Sequence, residues 1–141
     1  MIFFREADLS CAVEGKKTVS AWLKSVVKSH GKILGEICIV SCSDNHLLEV
    51  NKKHLNHDYF TDIITFDYSE GNKVSGDLLI SFDRVKENAA LCGVGFQEEL
   101  RRVMVHGCLH LCGFGDKTDG EKQAMRQEEN KALKLFHVEP E

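Results

Sequence analysis

The chain predicts an α+β fold, one mixed sheet of about four strands packed with about five helices, and three observations predict it. Strand-like and helix-like segments alternate through the first half of the chain. A turn-rich stretch then separates two apolar, β-branched runs. From Asp83 onward the apolar residues recur only at helical spacing.

Taken in order, residues 2–5 (IFFR) read as a short strand. Lys16 to Ser29 follows as a helix, because Val19, Trp22, Leu23, Val26 and Val27 fall on one face and Gly31 lies just beyond the end. Leu34 to Val40 is rich enough in β-branched residues for a second strand. Ser43 to Leu55 opens with two capping residue types and carries Leu47, Leu48, Val50 and Leu55, which predicts a second helix. Ile63 to Tyr68 and Leu78 to Phe82 are strands expected to pair as a hairpin across SEGNKVSG, whose Gly71 and Asn72 suit a tight reversal. Three helices complete the chain, Asp83 to Leu91, Gln97 to Cys112 and Asp119 to Phe136, with Gly93, Gly95 and Gly113 at the joins.

At 141 residues the chain has the length of one ordinary domain, and no repeat or linker divides it, so residues 1–141 are expected to form one unit with one active site. Hydrophobic residues make up 43% and charged residues 28%, the balance of a soluble globular protein. Only four apolar residues precede Arg5, too few for a signal peptide, and no run reaches membrane-spanning length, so a cytoplasmic protein with no membrane partner is expected. The six cysteines then read as thiols, not as a disulfide framework. A net charge of -4 gives no general attraction to nucleic acid; an RNA partner would need a local basic surface or a metal ion.

The chemistry concentrates in V-H-G-C-L-H-L-C-G-F-G-D. His106 and His110 are four residues apart, so on a helix their imidazoles lie about 40° apart around the axis and reach one ion. Met104, Val105, Cys108, Leu111 and Cys112 take the other side of that helix, which keeps both thiols out of the site. Gly113 can adopt the left-handed conformation that ends a helix and turns the chain back, delivering Asp116 to the same ion. The spacing H-x-x-x-H-x-x-G-x-x-D is that of the metzincin peptidase signature with two substitutions. Gly107 stands where the peptidase has its Glu base, and Asp116 where it has its third His. Two imidazoles and a carboxylate still make a three-ligand zinc site whose fourth position holds water, although the anionic ligand leaves the metal's identity less defined than three imidazoles would.

The same stretch resembles the YbeY family, whose hallmark is H-G-x-L-H-L-x-G-y-D-H. Residues 106–114 follow it, and the family's third metal-binding histidine falls on Asp116. Upstream, VNKKHLNHDYFTDIITF matches the family's segment at Asn51, Thr61, Asp62 and Phe66, with Leu55 in place of the family's arginine. Gly76-Asp77 and the pattern from Glu121 to Glu129 are also family-like. The resemblance implies a single-strand-specific, zinc-dependent endoribonuclease acting in small-subunit (16S) rRNA maturation and ribosome quality control. It implies one Zn2+ per chain held by His106, His110 and Asp116, with single-stranded rRNA and the small ribosomal subunit and its proteins as partners. A non-catalytic ribosome-assembly factor with a structural metal, or a small metallohydrolase of another substrate class, is the alternative.

No single base stands out. Asp62 and Asp77 are candidates for orienting a ligand or moving a proton, though Asp62 sits where capping is also a common role. Lys52, Lys53 and His57, near the missing arginine, and Arg101 and Arg102, one turn before the histidines, are the candidate phosphate contacts; Arg84 and Lys86 open the helix before. The charges of the last helix, Glu129 among them, read as an exposed salt-bridged face.

Overall fold

The computed structural model describes residues 1–55 and 61–138, with His137 and Val138 as backbone only. The elements run β1 (Ile2–Glu6), α1 (Lys16–Ser29), β2 (Ile33–Cys42), α2 (Asp44–Leu55), β3 (Ile63–Asp67), β4 (Lys73–Ser81), α3 (Phe82–Cys92), α4 (Phe96–Leu111) and α5 (Asp119–Val138). The four strands form one mixed sheet in the order β1-β2-β4-β3. β1 and β4 each pair parallel with β2, and β3 pairs antiparallel with β4. The expected α+β architecture and the hairpin are both present. β4 begins at Lys73, earlier than the apolar run suggests, because Glu70 and Lys73 bridge to close a tighter turn.

Alternation along β4 sorts the two faces of the sheet. Val74, Leu78 and Ile80 enter the main core with α1, α3, α4 and α5, whereas Leu79 packs with Leu47 and Ile64 beneath α2. Helix α1 forms because its apolar residues recur at helical spacing, and it buries all five of them, Val19, Trp22, Leu23, Val26 and Val27. Each such side chain contributes about 1.5–3 kcal/mol on burial. The Trp22 indole N–H donates to the Ala132 carbonyl at 2.7 Å, and its ring meets Phe136 edge-on, which fastens α5 to α1.

Helix α4 crosses the sheet closely because of Gly107. A Cβ built there would lie 2.8 Å from Ile63 Cδ1 and 2.9 Å from Leu78 Cδ2. Gly107 therefore faces the sheet, while His106 and His110, both to one side of that line, stand at its margin near β3. Among the described residues no helix is long and apolar enough to cross a membrane.

Candidate metal centre

Helix α4 ends as its glycine predicts. Gly113 has φ 108°, Phe114 N–H returns to the Leu109 carbonyl at 3.0 Å, and the chain doubles back. The stretch that follows is pinned from the far side by a capping box at the start of α5. There the Glu121 carboxylate accepts from Thr118 N–H (3.0 Å) and Lys117 N–H (3.2 Å), and Thr118 Oγ1 accepts from Glu121 N–H (3.1 Å). Asp116 is thus held between two fixed helix ends.

Three side-chain atoms converge. His106 Nε2 lies 3.0 Å from His110 Nε2, and Asp116 Oδ2 lies 3.2 Å from His110 Nε2 and 3.3 Å from His106 Nε2. The ring nitrogens that face away settle which atoms point inward. His110 Nδ1 is 2.8 Å from the Phe114 carbonyl, an acceptor only, so Nδ1 carries the proton and Nε2 presents its lone pair. His106 Nδ1–H donates to Glu129 Oε2 at 2.7 Å, with the same consequence. Lone-pair atoms so close repel unless a proton or a cation lies among them. Zinc–ligand bonds near 2.0 Å place tetrahedral ligand atoms about 3.3 Å apart, close to these spacings. Imidazole pairs suit transition-metal ions better than magnesium or calcium. His106, His110 and Asp116 can therefore hold a metal ion.

The electrostatics follow from burial and neighbours. Burial disfavours a charged His106, but the Glu129 hydrogen bond and the fields of Glu129, Asp116 and Asp62 outweigh it and raise the imidazole above its ordinary range. Burial works against Glu129 too, yet the hydrogen bonds from His106 and Arg102 hold its carboxyl below the usual carboxylate value. Glu99 moves upward, mainly from burial, with Asp62 adding to the effect against the pull of Arg102.

The triad forms one wall of a cleft of about 650 Å³, which runs past β3 to the end of α2 and is also lined by Asn51, Leu55, Thr61, Asp62, Thr65 and Lys117. A smaller pocket of about 290 Å³ adjoins it and holds Asp62, Glu99, Arg102, Arg126 and Glu129 around His106 and Asp116. Asp62 borders both, beside His106 and Asp116. Its backbone carbonyl also accepts from Ser81 N–H at 2.9 Å, so the residue helps fasten β3 to β4 as well.

Other expectations need correction. Asp77 projects from the opposite face of the sheet, where Tyr68 OH donates to it at 3.3 Å, and it has no part in the cleft. Arg101 turns toward α5 and lays its guanidinium over the Phe136 ring, 4.3 Å from the centroid. Arg102 donates to Glu129 (2.9 Å) and Asn130 (3.1 Å), so its fork is occupied within the protein. Arg84 binds Asp44 at 2.9 Å and does not line the cleft. Lys52 and Lys53 are exposed in the last turn of α2, and His57 lies outside the described residues. Cys108 is buried under α4, away from the triad, as its helical position requires. Glu129 reverses its expected place: it is 5% exposed and touches His106. Its signal was available, because Met125, Glu129, Ala132 and Phe136 share one helical stripe.

The profile of a family described as Endoribonuclease YbeY matches residues 4–137. A protein of Parabacteroides distasonis named Endoribonuclease YbeY is 49% identical over 138 residues, covering 98% of this chain and 97% of that one. One of the same name from Flavobacterium psychrophilum is 53% identical over 117 residues, covering 83% and 84%. A solution structure from Thermotoga maritima superposes with a TM-score of 0.68 at 24% identity, covering 96% of this chain and 89% of that one, and shares the fold.

Proposed function

The chain belongs to the Endoribonuclease YbeY family, and from that premise we propose that it is a zinc-dependent endoribonuclease. Its substrate is single-stranded RNA in small-subunit (16S) rRNA maturation and ribosome quality control, and it works in the cytoplasm as one catalytic domain. The observation that carries the reading is the convergence of His106 Nε2, His110 Nε2 and Asp116 Oδ2 on the wall of an open cleft. One zinc ion per chain is held by these three atoms.

When bound, the ion supplies Lewis acidity toward a phosphodiester. The protein does the rest. Asp62, at the border of both pockets, is placed to take a proton from an attacking hydroxyl or water. Thr61 and Thr65 offer hydrogen bonds along the cleft, and Lys117 offers a positive charge at its wall. Lys52 and Lys53 extend that charge along the end of α2 toward the small-subunit RNA. The cleft itself carries Asp62, Asp67 and Asp116 against Lys117, so the ion's charge is needed for a polyanion to enter. A peptidase reading is disfavoured, because Gly107 brings no carboxylate and its position faces Ile63 and Leu78.

The test is cleavage of single-stranded rRNA fragments by zinc-loaded protein beside a folded His110→Ala variant, with metal content measured for both. Cleavage by the first alone supports the proposal. Equal cleavage by both shows a contaminant, and metal uptake with no cleavage by either points to a structural ion.

A further inference from the structure

Among the described residues Glu129 is the only charged side chain in the buried class, at 5% exposed. A carboxylate is kept at such depth only when its oxygens are satisfied. Both are: Oε2 accepts from His106 Nδ1–H at 2.7 Å, and Oε1 accepts from Arg102 Nη1 at 2.9 Å. Arg102 is itself steadied, since its Nη2 donates to Asn130 Oδ1 at 3.1 Å. The result is a chain of charge-assisted hydrogen bonds from the body of α5 to one imidazole of the metal centre.

The two histidines are thus oriented by different means. His110 is fixed from its own turn, by the carbonyl four residues on. His106 is fixed from a different helix, by a residue 23 positions later. We propose that Glu129, steadied by Arg102, is the positioning residue for His106: it holds the ring with Nε2 toward the ion and so makes the docking of α5 a condition of tight metal binding. The inference rests on the metal-centre reading above.

The chemistry of the isosteric amide makes the role testable. In Glu129→Gln, the amide oxygen can face His106, which leaves an NH2 group against the Arg102 donors. Alternatively the oxygen faces Arg102, and an NH2 group against Nδ1 then favours the tautomer with its proton on Nε2, aimed at the ion. Both arrangements weaken the site, by 10–100-fold in metal affinity for a partner of this kind.

The experiment measures zinc affinity by competition with a chromophoric chelator for wild type, Glu129→Gln, Arg102→Ala and His110→Ala, with circular dichroism of each metal-free protein. Alongside it, nitrogen–proton correlation spectra read the tautomer of neutral His106 in the metal-free wild type. Expected are a proton on His106 Nδ1, a 10–100-fold loss of affinity in Glu129→Gln with its helix content kept, and a smaller loss in Arg102→Ala. A purely structural role would change folding and leave the affinity of the folded variant alone. Wild-type affinity in Glu129→Gln overturns the proposal, and so does a wild-type His106 that carries its proton on Nε2, a result that stands even if the variants do not fold. Failure of the underlying reading looks different: wild type would take up no zinc, and His110→Ala would change nothing.

Discussion

Adding one methyl group at Gly107 tests how closely α4 must approach the sheet. The Cβ of Gly107→Ala would sit 2.8 Å from Ile63 Cδ1 and 2.9 and 3.0 Å from the two Leu78 methyls. Carbon atoms in contact prefer about 3.5–4.0 Å, so the helix or its neighbours must give by roughly 0.5–1 Å. Leu78 is fully buried, and so this displacement spreads into the core. Overpacking of this kind costs about 1–3 kcal/mol, while replacing a helical glycine by alanine returns about 1 kcal/mol. The net expectation is a loss of about 1 kcal/mol, or roughly 2–4 °C in Tm. Urea unfolding in the presence of a chelator reads it, because the only tryptophan, Trp22, is 1% exposed and its emission reports core opening. Gly107→Glu carries the argument further. It rebuilds the H-E-x-x-H of a zinc peptidase, but it forces a carboxylate between Ile63 and Leu78, at several kcal/mol beyond the overpacking. That is a large share of a stability of about 5–15 kcal/mol, so the variant should be insoluble or unfolded. A Gly107→Ala protein more stable than wild type, or a soluble Gly107→Glu protein that cuts peptides, would refute the reasoning.

Leu55, 41% exposed on the cleft, stands where the resemblance places an arginine, so Leu55→Arg should tighten single-stranded RNA binding several-fold at low salt. It should also steepen the log–log salt slope by about 0.7, both read by fluorescence anisotropy. Asp116→His makes a three-imidazole site and should still bind one zinc ion by calorimetry, whereas Asp116→Ala should bind it far more weakly; equal affinity in all three proteins would remove Asp116 from the proposed ligand set. In timed alkylation followed by mass spectrometry, exposed Cys92 should react first. Cys42, pushed up to about 11 by burial, and fully buried Cys108 should stay unmodified until the protein unfolds.

What the sequence reveals and what it hides divide along physical lines. Period and punctuation are local properties, so the alternation of strands and helices, the hairpin between Ile63 and Ser81 and the glycine stop of α4 are legible. The same holds for His106, His110 and Asp116, because helix geometry and one left-handed residue bring them together without help from the rest of the fold. Sheet facing is harder. In D-L-L-I the residues on both sides of β4 are apolar, so alternation cannot tell which face meets α4, and Asp77 proves to be on the other one. Adjacent arginines on a helix pose the same problem: Arg101 and Arg102 differ by about 100° around α4, and only the position of α5 decides that one stacks on Phe136 and the other binds Glu129.

Glu129 shows how such a residue can be found from sequence. A helix rich in Glu, Lys and Arg invites pairing every charge with its neighbours at three or four positions, and Lys131 with Glu128 follows that pattern at 3.2 Å. Glu129 has only a long contact of that kind, 4.0 Å to Arg126, because it shares a stripe with Met125, Ala132 and Phe136, and that stripe is the one α5 turns inward. A carboxylate on a buried stripe must find a donor elsewhere in the fold. In a chain whose preceding helix carries a histidine pair at metal-binding spacing, the outward nitrogen of one of those imidazoles is the donor that most needs such a partner. Pairing a buried acid on one helix with a histidine of that pair on the helix before it identifies Glu129 from stripe and motif together, where charge pairing along α5 alone leaves it at the surface.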